Sequence, residues 1–171
     1  MQKICLSLIL IALLFVSSAP ADHLPENLLA RGKPEKILAG IHLARTKLSD
    51  IIKTHGEPSK IEDEDYYWEK DGWTLHLNYY RSEAMKGGYI NLIEIEGANV
   101  PRQIAATGRG LRLGDTIPDI RRIYGKKFKE RKIPEYNIHD VSLQWIRANE
   151  GLVVVLDEKG RIKKLSLFAG E

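Results

Sequence analysis

The spacing of apolar positions lays out two short amphipathic helices, each followed by strands of alternating character. In the first, Leu48, Ile51, Ile52 and His55 fall at i, i+3, i+4 and i+7, the stripe that buries one side of a helix. Thr46 precedes it as the expected N-cap, Gly56 follows where a left-handed C-terminal residue belongs, and Glu57-Pro58 prevents continuation. The second stripe is Ile117, Ile120, Ile123 and Tyr124. It is entered through Thr116, carries Pro118 in its first turn and Asp119 three residues after the cap, and is closed by Gly125. The expected helices lie near 47–55 and 117–124. Beyond each, the period drops towards two, most plainly where Trp73, Leu75, Leu77 and Tyr79 alternate with Thr74, His76, Asn78 and Tyr80. Strands are expected at 66–69, 73–80 and 89–96, and again at 141–146, 152–156 and 161–168. Asp157-Glu-Lys-Gly160 turns between the last two, and the longer 81–88 connection with Gly87-Gly88 does so in the first half. The stretch 57–65 holds five acids and one lysine, and 126–135 five bases and two acids; without apolar alternation, both read as polar loops.

The two patterns share a phrase. Gly40-Ile-His-Leu-Ala-Arg-Thr46 runs into the first helix and Gly110-Leu-Arg-Leu-Gly-Asp-Thr116 into the second, with Trp68 and Trp145 following at comparable places. Counted back from the closing glycine, the first copy has one extra residue near Arg45–Lys47, so its helix entrance should differ by a bulge or a shifted cap. The expected fold class is α+β: two tandem repeats, each a short helix packed on a small antiparallel sheet. They occupy 37–97 and 109–171, joined by a connector at 98–108 that holds Pro101 and Gly108 with little periodicity.

Leu111-Arg-Leu-Gly-Asp-Thr116 with Tyr124-Gly125, and more loosely Ile41-His-Leu-Ala-Arg-Thr46, resemble one known repeat unit. It is that of the β-lactamase-inhibitor-protein-like fold, a unit also seen in small outer-membrane-assembly lipoproteins. The resemblance spans 38–171 as two units. It implies architecture rather than activity, because unrelated binders carry this fold. No inhibitory residues carry over, the inhibitor's disulfides have no counterpart, and there is no lipobox cysteine.

The N-terminus changes the picture further. Lys3, an apolar run from Leu6 to Val16, and small residues with Ala19 and Ala21 at the last positions form a secretory signal over 1–21, too short to be a membrane span. The expected product is soluble and periplasmic or secreted, cut after Ala21, with a flexible leader at 22–36. The only cysteine, Cys5, lies inside the signal, so the product would have no disulfide, thiolate nucleophile or cysteine-based metal site. Loss of Lys3 lowers the formal charge from +3 to +2, which argues against nucleic acid as a partner.

Candidate chemistry depends on which sheet face the helices cover. Alternation turns Trp68, Trp73, Leu75, Leu77, Ile93 and Ile95 inward in the first half. In the second half it turns Leu143, Trp145, Leu152, Val154, Leu156, Leu165 and Leu167 inward. The opposite face would show Tyr67, Glu69, Thr74, His76, Asn78, Tyr80, Leu92 and Glu94, then Gln144, Ile146, Val153, Val155, Lys164 and Phe168. Large apolar side chains on an uncovered face mark an interaction surface. Tyr67, His76, Tyr80, Val153, Val155 and Phe168 are therefore the candidate partner-binding residues, with another exported or envelope protein as the expected partner. Cover from within the chain is the structural alternative.

The enzymatic alternative is a small periplasmic hydrolase working through His76, with Glu69 and Glu94 on neighbouring strands as an acid–base pair or metal site. The spacing matches no ligand motif. No Gly-x-Ser-x-Gly, Ser-x-x-Lys or phosphate-cradling glycine loop occurs, so neither a catalytic residue nor a cofactor is expected. Asp63-Glu-Asp65 lacks the glycine and closing glutamate of a calcium loop and reads as solvated. The basic run 126–132 reads as an exposed loop, and His55 as a stripe residue whose charged form suits the last helical carbonyls.

Overall fold

Alternation along the strands decides which way every side chain in this fold points. The computed structural model describes residues 33–82, 87–134, 137–145 and 150–169. The expected signal at 1–21, and the leader up to residue 32, lie outside them. In chain order the elements are β1 (Ile37–Leu38), β2 (Ile41–His42), α1 (Leu48–His55), β3 (Lys60–Glu62), β4 (Asp65–Lys70) and β5 (Trp73–Ser82), then β6 (Gly87–Gly97) and α2 (Ile117–Tyr124). The chain closes with β7 (Lys129–Ile133), β8 (Ile138–Gln144), β9 (Glu150–Leu156) and β10 (Ile162–Ala169). The architecture is α+β. β1 and β2 form a small two-stranded sheet, and the other eight strands join a single antiparallel sheet in the order β3-β4-β5-β6-β10-β9-β8-β7. Instead of two small sheets, the strands of both halves meet at the centre, where Leu165 lies opposite Ile95 and Leu167 opposite Ile93.

Two apolar rows cross the sheet on its helix side. One runs Trp68, Leu75, Ile95, Leu165, Val154, Val141; the next runs Tyr66, Leu77, Ile93, Leu167, Leu152, Leu143. All twelve side chains are buried, as are Trp73, Trp145 and Leu156. The helices close over them. The Trp68 indole donates to the carbonyl of Gly56 just past α1 (2.8 Å), and the Tyr124 ring of α2 meets Trp145 edge-on with centroids 6.1 Å apart. Gly56 and Gly125 end the helices at φ 83° and 85°, a backbone region that favours glycine. A bulge on β6 preserves the pattern. Asn78 pairs Leu92 but Tyr79 pairs Ile90, so Asn91 is left over and Ile90 keeps its buried side.

Several expectations need correction. The supposed loops at 57–65 and 126–135 contain β3 and β7, the two edges of the sheet. Edge strands exposed on both faces carry no hydrophobic alternation, and every residue of β3 and all but Ile133 of β7 are exposed. The α1 cap is Lys47 instead of Thr46, whose hydroxyl instead accepts from the His42 N–H at 2.9 Å. Thr116 does cap α2, and the Asp119 carboxylate reaches back to its backbone N–H (3.1 Å) and hydroxyl (3.0 Å). At the end of α1, burial and then Lys70 lower the pKa of His55, so its charged form is disfavoured; the Lys70 ammonium takes the carbonyl of His55 instead (2.8 Å).

The described end of the leader is not a loose arm either. Glu35 is 3% exposed, and its carboxylate accepts from the backbone N–H groups of Lys36, Ile37 and Arg109 and from the Tyr124 hydroxyl at 2.7 Å. The connector closes round it. Thr107 is buried with its hydroxyl 2.8 Å from that of Tyr124, and Leu38 and Thr107 form a β-bridge. Burial and the neighbouring Glu35 together raise the pKa of Tyr124, so it stays a neutral donor.

Truncating Trp68 or Trp145 to alanine should cost about 3–5 kcal/mol, the usual range for a buried large aromatic. Chemical denaturation measures this, and a negligible shift in both would mean the sheet faces are inverted. Glu35→Ala should cost upwards of about 2 kcal/mol, because it leaves the buried Tyr124 hydroxyl and nearby N–H groups short of their acceptor.

Candidate functional site

The face away from the helices is crossed by three rows. The middle row spans all eight strands: Lys60, Tyr67, His76, Glu94, Ser166, Val153, Ser142, Lys129. On one side lies Glu69, Thr74, Glu96, Lys164, Val155, Asp140, Arg131. On the other lies Glu62, Asp65, Asn78, Leu92, Phe168, Gly151, Gln144. Tyr80 follows Asn78 two residues on, with its ring 5.5 Å from that of Tyr89. All six candidate binding residues therefore share this face. Ile146, expected beside them, lies outside the described residues.

A polar network occupies the middle. His76 has a carboxylate on each ring nitrogen: Asp65 Oδ1 is 2.7 Å from Nε2 and Glu94 Oε2 is 3.1 Å from Nδ1. Asn78 donates to the same Asp65 oxygen (3.0 Å), Ser166 donates to Glu94 Oε1 (2.6 Å), and the Lys164 ammonium lies 2.9 Å from Glu94 Oε2. The Tyr67 ring stacks on the imidazole, 4.5 Å between centroids and 6° from parallel, and the Lys60 ammonium lies 5.5 Å from the centroid of the same Tyr67 ring. Burial works against charge on each partner, but here it loses. For Glu94, burial pushes the pKa up, yet hydrogen bonds from His76, Ser166 and Lys164 bring it down to about 2. For His76, burial pulls down, and the hydrogen bonds to Glu94 and Asp65 outweigh it and raise the pKa. The arrangement favours the charged form of the imidazole and of both carboxylates beside it.

Of the acids first set beside His76, Glu94 is there and Glu69 is not; Glu69 stands opposite Thr74 in the neighbouring row. Asp65 takes its place. It was assigned to a solvated acidic loop, but it is the first residue of β4 and lies two before Tyr67, so the same alternation puts it on this face. Ser166 likewise falls between Lys164 and Phe168 in the outward set. Among the described residues, no group of three or more His, Cys, Asp or Glu side chains is placed to hold a metal ion.

Apolar side chains flank the network. The Phe168 ring lies over Gly151 so closely that a Cβ there would fall 2.3 Å from the ring, a contact only glycine permits. Leu92 stands opposite it on β6, and Val153 and Val155 follow Gly151 along β9; all three are half-buried. A separate cavity of about 1100 Å3 opens at the end of the sheet where β4 turns into β5, over Trp73, Val100, Leu113 and Ile162. Its rim mixes Arg102, Arg112 and Arg161 with Glu96 and Asp157, and His76 does not line it.

No family model matches the chain, and no curated protein does. Among solved structures, the chain is similar to the crystal structure of a DUF4309 family protein (YjgB) from Bacillus subtilis subsp. subtilis str. 168. The identity is 17%, the match covers 77% of this chain and 83% of that one, and the TM-score is 0.47.

The network has a defined pH window. Glu94, depressed in the folded state, stabilises above its ordinary value of 4.5, and that contribution is lost as pH falls through about 2. His76, raised above 6.5, stabilises below that value, and its contribution is lost as pH rises through the folded pKa. The stability difference between the protein and Glu94→Gln should therefore be largest between pH 4.5 and 6.5. Urea denaturation across pH measures it; a difference independent of pH would mean the network does not form.

Proposed function

We propose that this protein is an exported, non-catalytic protein-interaction module that binds an envelope or secreted partner through the open face of its sheet. The observation that carries the reading is the middle of that face, where a fixed set of charges and hydrogen bonds adjoins half-buried Phe168, Leu92, Val153 and Val155. Interfaces concentrate affinity in this way, with aromatic anchors set among oriented polar groups. Eight strands at the usual spacing make a face roughly 34 Å across, the scale of a surface that buries about 800 Å2 per partner. His76 favours binding over hydrolysis. Both ring nitrogens are committed to carboxylates, so neither is left to take a proton from a substrate.

Export rests on the signal-like N-terminus. Among the described residues no helix is long and apolar enough to cross a membrane. We further read the two halves as tandem repeats of the β-lactamase-inhibitor-protein-like unit. Each half supplies one eight-residue helix and four strands of the eight-stranded sheet, arranged in mirrored order about the β6–β10 pair. The helix entrances support it as well. Ala44 and Gly114 both hold positive φ, and the N–H two residues before each is taken by Thr46 in one half and Asp115 in the other. The acceptor's shift by one position is what the extra residue in the first phrase calls for.

A photo-crosslinking residue at Tyr80 or Val153 should capture the same envelope protein, and one at the exposed Lys53 of α1 should not. Phe168→Ala and Tyr80→Ala should each weaken that capture at least tenfold, as loss of a binding anchor does, while the melting temperature moves little. Equal capture from Lys53, or variants that bind normally, would count against the open face as the binding surface.

A further inference from the structure

The two edges of the sheet are charged oppositely. Around β3, residues 57–65 carry Glu57, Glu62, Asp63, Glu64 and Asp65 against Lys60. Around β7, residues 126–132 carry Lys126, Lys127, Lys129, Arg131 and Lys132 against Glu130. Each edge strand has a sheet neighbour on one side only, β4 or β8, so the N–H and C=O groups of its outer side have no partner strand within the sheet. Charged residues usually protect such edges, since like charges repel when two copies meet. Here the protection is incomplete. It keeps β3 from β3 and β7 from β7, but draws β3 towards β7.

Strand direction agrees. Every neighbouring pair in the eight-stranded sheet is antiparallel, so β3 and β7, at opposite ends of an even number of strands, run in opposite directions. A second copy placed edge to edge with the same face up therefore meets β3 with an antiparallel β7. The apolar pattern fits the same arrangement. Ile61, at the centre of β3, is 57% exposed, the large hydrophobic side chain left out of the core among the described residues. It stands on the helix side with Tyr66, its partner on β4. The residues that β7 presents on that side are Glu130 and Lys132, whose methylene stems would lie along it.

We propose that copies of this chain associate head to tail, with the acidic β3 edge of one pairing with the basic β7 edge of the next. The contact is separate from the open face and leaves it free. Exposed ion pairs are individually weak and are screened over about 8 Å at physiological ionic strength, so the association is one of low salt and high protein concentration. Because the contact is heterologous, it extends beyond two copies unless the geometry closes a ring.

The test is sedimentation velocity on the protein as the cell produces it, across a concentration series at low and high salt. At low salt the weight-average sedimentation coefficient should rise with concentration, and at high salt it should return to the monomer value. Glu57→Lys/Glu62→Lys leaves three acids against three lysines around β3, and Lys126→Glu/Lys132→Glu leaves three bases against three acids around β7, so each removes the net charge of one edge. All four side chains are exposed, so both variants should melt near the wild type. Each alone should stay monomeric, and an equimolar mixture should associate in pairs, because the first variant keeps the basic edge and the second keeps the acidic one. Glu57→Gln/Glu62→Gln, which keeps three acids against one lysine, should fall between wild type and Glu57→Lys/Glu62→Lys, and Phe168→Ala should associate as the wild type does. A wild type monomeric at every concentration in low salt overturns the proposal, as does self-association of either charge-cancelled variant or a mixture that stays monomeric.

Discussion

The pairing of β6 with β10 is the contact on which the rest of the molecule depends. It joins four strands from each half of the chain into one sheet, and it brings together residues far apart in sequence: Glu94 with Ser166, Ile93 with Leu167, Leu92 with Phe168. On the helix side this pairing makes the two apolar rows continuous beneath both helices. On the other side it completes the network, since Ser166 and Lys164 reach Glu94 only across it. Core and candidate surface are thus two faces of one register. A slip of one residue would turn Leu165 and Leu167 outward and break the network at the same time.

The sides of the sheet are made different by what covers them. Two eight-residue helices, anchored by Trp68 and Tyr124, seal one face, and the buried Glu35 ties the incoming chain to α2 and the connector. The other face keeps its charges because they satisfy one another. Glu94 holds its charge despite partial burial because three donors converge on it; the depression from 4.5 to about 2 corresponds to roughly 3 kcal/mol in favour of the carboxylate. Such a surface is oriented before any partner arrives, which reduces the ordering cost of binding.

Much of this was legible in the chain, for a definite reason. Where one side of an element is buried, hydrophobicity records it: the stripes located both helices, and alternation sorted Trp73, Leu75 and Leu77 from Thr74, His76 and Asn78. Where burial is absent on both sides, the record is blank, and so β3 and β7 read as loops. Long-range partnerships left no local trace either. Glu35 looks like any acid in a charged leader, because its burial is created by Tyr124 and Arg109, which lie 89 and 74 residues away. Asp65 was hidden for a third reason. It ends an acidic run, and only its register opposite Asn78, next to His76, separates it from its solvated neighbours.

The central claim is a sheet with one sealed face and one open face, and the chain allows a direct test because Cys5 is its only cysteine. Single cysteines can be placed at Thr74 and Val153 on the open side and at Leu143 and Val154 on the helix side, and their reaction with a thiol reagent followed under native conditions. The account predicts rapid labelling at Thr74 and Val153, and labelling at Leu143 and Val154 only as fast as the protein unfolds. Protection of Val153 equal to that of Leu143 would contradict it, because the face assigned to binding would then be covered from within.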